Sequence, residues 1–170
     1  MIRILLLLFS LSIGVHCFSQ TEGNDYSFLR FVDVDSFYKK QDIDLVNTDS
    51  PDLYFEIFTW LGTPYRWGGR SQSGIDCSDF VSVLSEKIYN KIVGGSAGDI
   101  FKKCTEVENG NIVEGDLVFF NIRGKFLSHV GIYLQHGKFA HASVHGGVMV
   151  SDLEEPYYKK YFYKVARIND

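Results

Sequence analysis

The residue with the clearest capacity for chemistry is Cys77, within the sequence Gly-Ile-Asp-Cys-Ser at residues 74–78. A glycine pair at residues 68–69 precedes it, and an apolar pattern of helical period follows it. Cys77 is therefore predicted to lie where a turn enters a helix. The free N–H groups and positive dipole end of a helix stabilise an anion, which lowers the pKa of a thiol. Because the thiolate is the nucleophilic form, we expect Cys77 to be a nucleophile.

A thiolate nucleophile needs a base, and histidine suits that task because its pKa lies near neutrality. His129 begins one apolar strand pattern, and His141 lies in the next one. Strands joined by a tight hairpin lie about 5 Å apart, so these two rings can touch. One ring would face the thiol, and the other would hold the far nitrogen of the first. His136 and His145 fall in a turn and a glycine-rich loop, where we expect them at the surface.

The same residues allow three other interpretations. A histidine in a strand is more often a packed or hydrogen-bonded residue than a catalyst. Several histidines close together also suggest zinc, but the spacings HxH and HExxH, typical of metal sites, are absent here. Cys77 and Cys104 could form a disulfide in an oxidising compartment, which would abolish the nucleophile. We expect no metal ion and no cofactor.

Length and composition limit the class of protein. A chain of 170 residues with 45% hydrophobic residues suits one domain with an ordinary core. The net charge of −4, without a basic cluster, argues against a nucleic-acid partner, because phosphate binding needs a basic surface. We expect a monomer.

The first residues have the pattern of an export signal. A short positive start at Arg3 precedes an almost wholly apolar run from Ile4 to Val15. That run is too short to span a bilayer, and small residues then allow cleavage after Ser19. Residues 1–19 are therefore predicted to be a signal peptide. Acylation of Cys17 is the alternative, disfavoured because His16 stands where a lipoprotein site wants a small residue. We expect an exported protein of the periplasm, cell envelope or exterior, with no transmembrane segment.

The order of the predicted elements indicates an α+β fold. A loose N-terminal segment, residues 20–50, contains one short helix near Phe28 to Lys39. Helices are predicted from Ser50-Pro51 to residue 61, from Cys77 to Asn90, and over 99–104, with loop between Tyr65 and Gly74. Five strands follow, and their glycine-containing connections predict an antiparallel meander. They are predicted at residues 116–120, 129–134, 138–142, 147–151 and 162–168.

Several short blocks, in a fixed order, resemble the NlpC/P60 cysteine peptidases. They are Gly-Thr-Pro-Tyr-Arg-Trp-Gly-Gly (62–69), Gly-Ile-Asp-Cys-Ser (74–78), Gly-Asp-Leu-Val-Phe-Phe (115–120), Ser-His-Val-Gly-Ile-Tyr-Leu (128–134), His-Ala-Ser (141–143) and Gly-Val (147–148). The resemblance covers residues 51–168 and implies a papain-like fold with N-terminal helices packed on an antiparallel sheet of five to six strands. It divides the chain into a signal peptide (1–19), an N-terminal extension (20–50) and a catalytic domain (51–170).

The resemblance also implies roles for individual residues. Cys77 would be the nucleophile, His129 the general base and His141 the residue that orients His129. Tyr65 would help to form the oxyanion pocket. Next to the nucleophile, Asp76 and Ser78 would contact substrate, where equivalent residues of relatives recognise the amine of L-alanine.

One position departs from the family pattern. The family usually reads Asp-Cys-Ser-Gly-Phe, but Asp79 replaces the glycine here. An aspartate in the first helical turn is favoured by the dipole, so the helix should tolerate it. Its negative charge should raise the pKa of Cys77 somewhat.

The resemblance predicts a secreted cell-wall hydrolase, a cysteine endopeptidase acting on peptidoglycan stem peptides. The expected bond joins D-glutamate to the following diamino acid, and a Cys-His-His triad would cut it through a thioacyl-enzyme. Two alternatives stay open. One is an amidase or acyltransferase using the same cysteine and histidine, and the other is a non-catalytic wall-binding protein.

Overall fold

The computed structural model describes residues 25–108, 110–122, 124 and 126–169, and for residues 25–31 the backbone alone. The predicted signal peptide and Cys17 lie outside this part. The helices are α1 (Asp25–Lys39), α2 (Pro51–Trp60), α3 (Cys77–Tyr89), α4 (Ala97–Lys102) and α5 (Pro156–Tyr161). The strands are β1 (Arg70–Ser71), β2 (Gly74–Ile75), β3 (Cys104–Val107), β4 (Leu117–Phe120), β5 (His129–Tyr133), β6 (Lys138–Ser143), β7 (Gly147–Asp152) and β8 (Phe162–Ile168). The predicted α+β class is confirmed.

Strands β3 to β8 form one antiparallel sheet in the order β3-β8-β4-β5-β6-β7. The meander prediction is right for β4 to β7 but wrong for β8, which returns to pair with β4. The loop after α2 explains this, because it already covers the outer edge of β7. Gly62 N–H donates to the carbonyl of Val148 (2.9 Å), and Val148 N–H donates to the carbonyl of Thr63 (2.9 Å).

Helix α3 carries the predicted nucleophile and lies against β5 and β6. Asp76 is its N-cap, accepting a hydrogen bond from the N–H of Asp79. The helix ends at Asn90, whose left-handed backbone (φ 53°) forms the C-cap. Phe80 and Leu84 are fully buried on its inner face. Caps at both ends and an apolar face thus fix Cys77 at the first turn, as the sequence predicts.

The N-terminal segment is packed into the same core as the rest of the domain. Val34 and Tyr38 of α1 are fully buried in it. The Tyr38 ring meets that of Tyr54 edge to face at 5.1 Å, and its hydroxyl donates to the Tyr54 carbonyl. Helix α2 begins as predicted with Ser50 at the N-cap and Pro51 at the first position. Residues 32–50 therefore pack into the core that they share with α2.

Several local predictions need correction. The loop predicted between Tyr65 and Gly74 contains β1 and ends in β2. The helix predicted at residues 99–104 lies at 97–102, because Ser96 and Asp99 form a capping box that fixes its start. Cys104 instead begins β3, and neither β3 nor α5 is predicted. Within the described residues, no helix combines the length and apolar character needed to cross a membrane.

Candidate active site

Cys77 lies at the floor of a groove of about 730 Å³. One wall comes from the loop before α3 and the other from the start of α4 and the loop before β5. Two large aromatic side chains on these walls face solvent, Trp67 with 76% of its surface exposed and Phe126 with 62%. Among the described residues, none from the segment 25–50 lines this groove. A solvent-open groove of this size with a thiol in its lining can admit a small-molecule or peptide ligand.

The surroundings of Cys77 favour the neutral thiol. Burial raises its pKa to about 11, and the nearby Asp76 carboxylate acts in the same direction. Backbone N–H groups of Val130, Ser78 and Cys77 itself oppose that rise by donating to the sulfur. The expectation of a lowered pKa is wrong, because loss of water around the buried sulfur outweighs the effect of the helix N-terminus. The Val130 contact also places the start of α3 against the start of β5.

Asp79 acts differently from the prediction made for it. Its Oδ1 accepts a hydrogen bond from Arg70 Nη1 at 2.9 Å, and Arg70 Nη2 donates to Glu86 at 2.9 Å. Asp79 is not among the groups that shift the pKa of Cys77, whereas Asp76 is. The pairing with Arg70 accounts for this, since a neighbouring cation offsets the field of the carboxylate.

His129 and His141 form a buried pair, as their positions on a hairpin predict. His129 Nε2 and His141 Nδ1 lie 2.8 Å apart, and the ring planes are perpendicular. Only 7% of His129 and none of His141 is exposed. Burial lowers the pKa of His129 to about 4 and holds that of His141 well below its usual value. Both rings are therefore neutral near pH 7, and the contact between them uses Nε2 of His129 rather than Nδ1.

Gly131 on β5 lies close to the histidine pair. The register that pairs Ile132 with Ala140 sets Gly131 opposite His141. A Cβ at Gly131 would lie 3.2 Å from the Cβ of His141 and 2.8 Å from the carbonyl oxygen of Ala140. The absence of a side chain thus lets β5 and β6 approach closely here, next to the diagonal contact between His141 and His129.

The far side of His141 is held by two hydroxyl groups that sequence reasoning missed. His141 Nε2 lies 3.1 Å from Ser151 Oγ on β7 and 3.1 Å from the Tyr158 hydroxyl on α5. Ser151 and Tyr158 reach His141 only when β7 and α5 have both packed against β6. A proline at the first helical position, Pro156, was the available signal for α5.

Asp76 and Ser78 both line the groove, and Asp76 already has three protein donors. Its Oδ1 accepts from Ser78 Oγ (2.8 Å) and from Asp79 N–H (2.9 Å), and its Oδ2 accepts from Gly68 N–H (2.8 Å). Tyr65 also borders the groove and pairs with Ile75 through a parallel β-bridge. The structure thus brings four of the six residues singled out from the sequence to the groove, and it brings the other two, His129 and His141, together as a buried pair. His129 directly follows Ser128, which lines the groove.

Of the residues that the structure describes, the other cysteine and the other two histidines lie elsewhere. Cys77 and Cys104 are both free thiols, so the disulfide alternative is wrong. Cys104 is half-buried on β3. His136 and His145 are exposed, as predicted.

Comparison with known proteins now identifies the family. The sequence profile described as "NlpC/P60 family" matches residues 62–167, more than half of the chain. The chain belongs to the NlpC/P60 family. The match begins at the loop before β1 and includes every residue of the groove and the histidine pair described above.

Two bacterial NlpC/P60 relatives show how far the similarity extends. A "Probable endopeptidase" of Haemophilus influenzae is 42% identical over 110 residues, which cover 64% of this chain and 68% of that protein. The "Murein DD-endopeptidase MepS/Murein LD-carboxypeptidase" of Escherichia coli K12 is 37% identical over 109 residues, covering 64% and 57%.

Solved structures support the same fold. An NLP/P60 family protein of Staphylococcus aureus, described as similar to lipoprotein, superposes with a TM-score of 0.63 at 26% identity. That match covers 69% of this chain and 40% of the other. The NlpC/p60 domain of the peptidoglycan hydrolase SagA superposes with a TM-score of 0.57 at 27% identity, covering 67% and 94%.

Proposed function

We propose that this protein is an exported cysteine endopeptidase that cuts the stem peptides of peptidoglycan. The observation that supports the proposal is that Cys77 lies in an open groove and accepts a hydrogen bond from the N–H of Val130, the residue next to His129 of the buried His129–His141 pair. Family membership and the names of the relatives, a murein endopeptidase among them, support peptidoglycan as the substrate. A hydrolase of the cell wall has to work in the cell envelope or outside the cell.

The histidine contacts define the proposed proton path. His129 Nε2 is engaged by His141, so Nδ1 is the nitrogen that exchanges a proton with Cys77. For Nδ1 to accept that proton, Nε2 must carry a hydrogen and donate it to His141 Nδ1. His141 thus orients the base, and both imidazoles start neutral because they are buried.

The proposed reaction begins when Cys77 Sγ attacks the amide carbonyl carbon. Because the thiol starts neutral, its proton passes to His129 Nδ1 as the carbon–sulfur bond forms. We assign stabilisation of the resulting oxyanion to the Cys77 backbone N–H and Tyr65. His129 then protonates the leaving amine, which leaves a thioester on Cys77. Water hydrolyses the thioester, again giving a proton to His129, and restores the thiol.

We also propose that Asp76 and Ser78 bind the free amine of a stem peptide. A carboxylate has about four acceptor positions, and three of those on Asp76 are used within the protein. The remaining position on Oδ2 can accept from an ammonium group. The bond cut would then be the one between D-glutamate and the diamino acid.

Mass spectrometry of defined muropeptides incubated with the purified protein tests this proposal. The expected product is a stem shortened after D-glutamate, formed by the wild type and lost in His129→Ala. Transfer of the acyl group to an added amine would instead favour the acyltransferase alternative. Binding to sacculi with every muropeptide intact would favour a non-catalytic wall-binding protein.

A further inference from the structure

The far nitrogen of His141 lies between two buried hydroxyl groups. Ser151 Oγ and the Tyr158 hydroxyl each lie 3.1 Å from His141 Nε2, and they are 3.4 Å from one another. Ser151 is 5% exposed and Tyr158 is 8% exposed. The two residues approach from different elements, β7 and α5, so the nitrogen is enclosed by separate parts of the chain.

His129, His141 and the two hydroxyl groups form a series of hydrogen-bonding contacts. The direction of these hydrogen bonds decides whether His129 can act as a base. A neutral imidazole has one N–H and one acceptor nitrogen. If His141 Nδ1 accepts from His129, then His141 Nε2 carries the hydrogen and needs an acceptor of its own. If His141 Nδ1 carries the hydrogen instead, His129 Nε2 must accept it, and the proton of His129 then sits on Nδ1. In that state His129 cannot take a proton from Cys77.

We propose that Ser151 and Tyr158 are positioning residues that hold His141 in the tautomer with its hydrogen on Nε2. Their oxygens accept that hydrogen, which leaves His141 Nδ1 as the acceptor for His129 throughout the reaction. This inference rests on the proposed function of Cys77 and His129.

The aromatic surroundings of His141 support this arrangement. The Phe139 ring stacks on the imidazole at 4.8 Å with an angle of 26°, while the Tyr158 ring meets it edge-on at 5.3 Å. These contacts fix the plane of the imidazole, so Nε2 keeps pointing at the two hydroxyls. A hydroxyl suits this site because its oxygen can accept the hydrogen of Nε2 while its own hydrogen is donated elsewhere, as Ser151 Oγ donates to the Tyr158 hydroxyl (3.4 Å), and it places no charge in a buried position.

The kinetic test compares Ser151→Ala, Tyr158→Phe and the double variant with wild type on one muropeptide. Each single variant leaves one acceptor, so a smaller loss is expected than in the double variant. The double variant leaves a buried N–H without a partner, which should lower kcat about tenfold or more. KM should hardly change, since neither hydroxyl lines the groove. Ser151→Thr, which keeps a hydroxyl, should retain most of kcat.

Two matched controls remove buried hydroxyls elsewhere. Ser85→Ala deletes a fully buried hydroxyl that donates to the carbonyl of Val81, and Tyr38→Phe deletes one that donates to the carbonyl of Tyr54. Both should keep the wild-type kcat when assayed as folded protein. Equal losses in the controls and in the double variant would show a general effect on folding and overturn the inference.

Nitrogen-15 NMR of labelled histidines tests the tautomer directly and needs no substrate. The wild type should show the hydrogen of His141 on Nε2, and the double variant should show a population with the hydrogen on Nδ1. A wild-type signal for hydrogen on Nδ1, or a double variant with unchanged tautomer and kcat, would overturn the inference. A wild type that cuts no muropeptide would refute the proposed function, while the NMR result would still decide the tautomer.

Discussion

Replacing Gly131 by alanine should disturb both the fold and the histidine pair. The added Cβ would lie 2.7 Å from Phe139 Cδ2, 2.8 Å from the carbonyl oxygen of Ala140 and 3.2 Å from the Cβ of His141. Because one of these atoms belongs to the backbone, β5 and β6 must move apart locally. We expect a loss of about 1–3 kcal/mol in the free energy of unfolding, the usual cost of overpacking.

The same change should reduce activity by more than its effect on stability suggests. Movement of β6 displaces His141 from its 2.8 Å contact with His129. A misplacement of about 1 Å costs about a hundredfold in rate, so a shift of a few tenths of an ångström should lower kcat about tenfold. Urea unfolding and muropeptide turnover measure the two effects. The control is Gly94→Ala, since a Cβ there has nothing within 4 Å. Wild-type stability and kcat in Gly131→Ala would refute this reasoning.

Three further predictions concern other parts of the structure. Acid should destabilise the protein: the pKa of His129 falls from 6.5 to about 4 on folding, so the unfolded chain takes up a proton first as pH drops below 6.5. Urea unfolding should show about 2 kcal/mol lost through this group between pH 7.5 and 5, a loss absent in His129→Gln. Val34→Ala, at a fully buried site, should cost about 2 kcal/mol, whereas Val32→Ala, 44% exposed, should cost under about 0.5 kcal/mol, and equal costs would contradict the packing of α1. In a Cys104→Ala background and without substrate, the alkylation rate of Cys77 should rise about tenfold per pH unit from 7 to 9, and a plateau below pH 8 would contradict the raised pKa.

Local patterns in the sequence predict much of the site. The capping residues and apolar face of α3 are all within one short segment, so the position of Cys77 follows from neighbouring residues. The contact between His129 and His141 likewise follows from one hairpin, which brings residues of adjacent strands together.

Other features depend on parts of the chain that are distant in sequence. The place of β8 beside β4 depends on Gly62 and Thr63, which occupy the edge of β7. The raised pKa of Cys77 depends on how deeply the domain buries it, while local sequence shows only the helix N-terminus that opposes the rise. Tyr158 joins the site because α5 folds back over β7, which no local pattern specifies.

The most direct test of the central claim, that Cys77 is the nucleophile of a peptidoglycan endopeptidase, is a matched comparison of two cysteine variants. Cys77→Ala and Cys104→Ala each remove one free thiol, and only the first thiol lies in the groove. Both proteins would be incubated with the same muropeptides, and the products quantified by mass spectrometry. We predict cleavage by Cys104→Ala at the wild-type rate and none by Cys77→Ala. Cleavage by Cys77→Ala at the wild-type rate would contradict the claim.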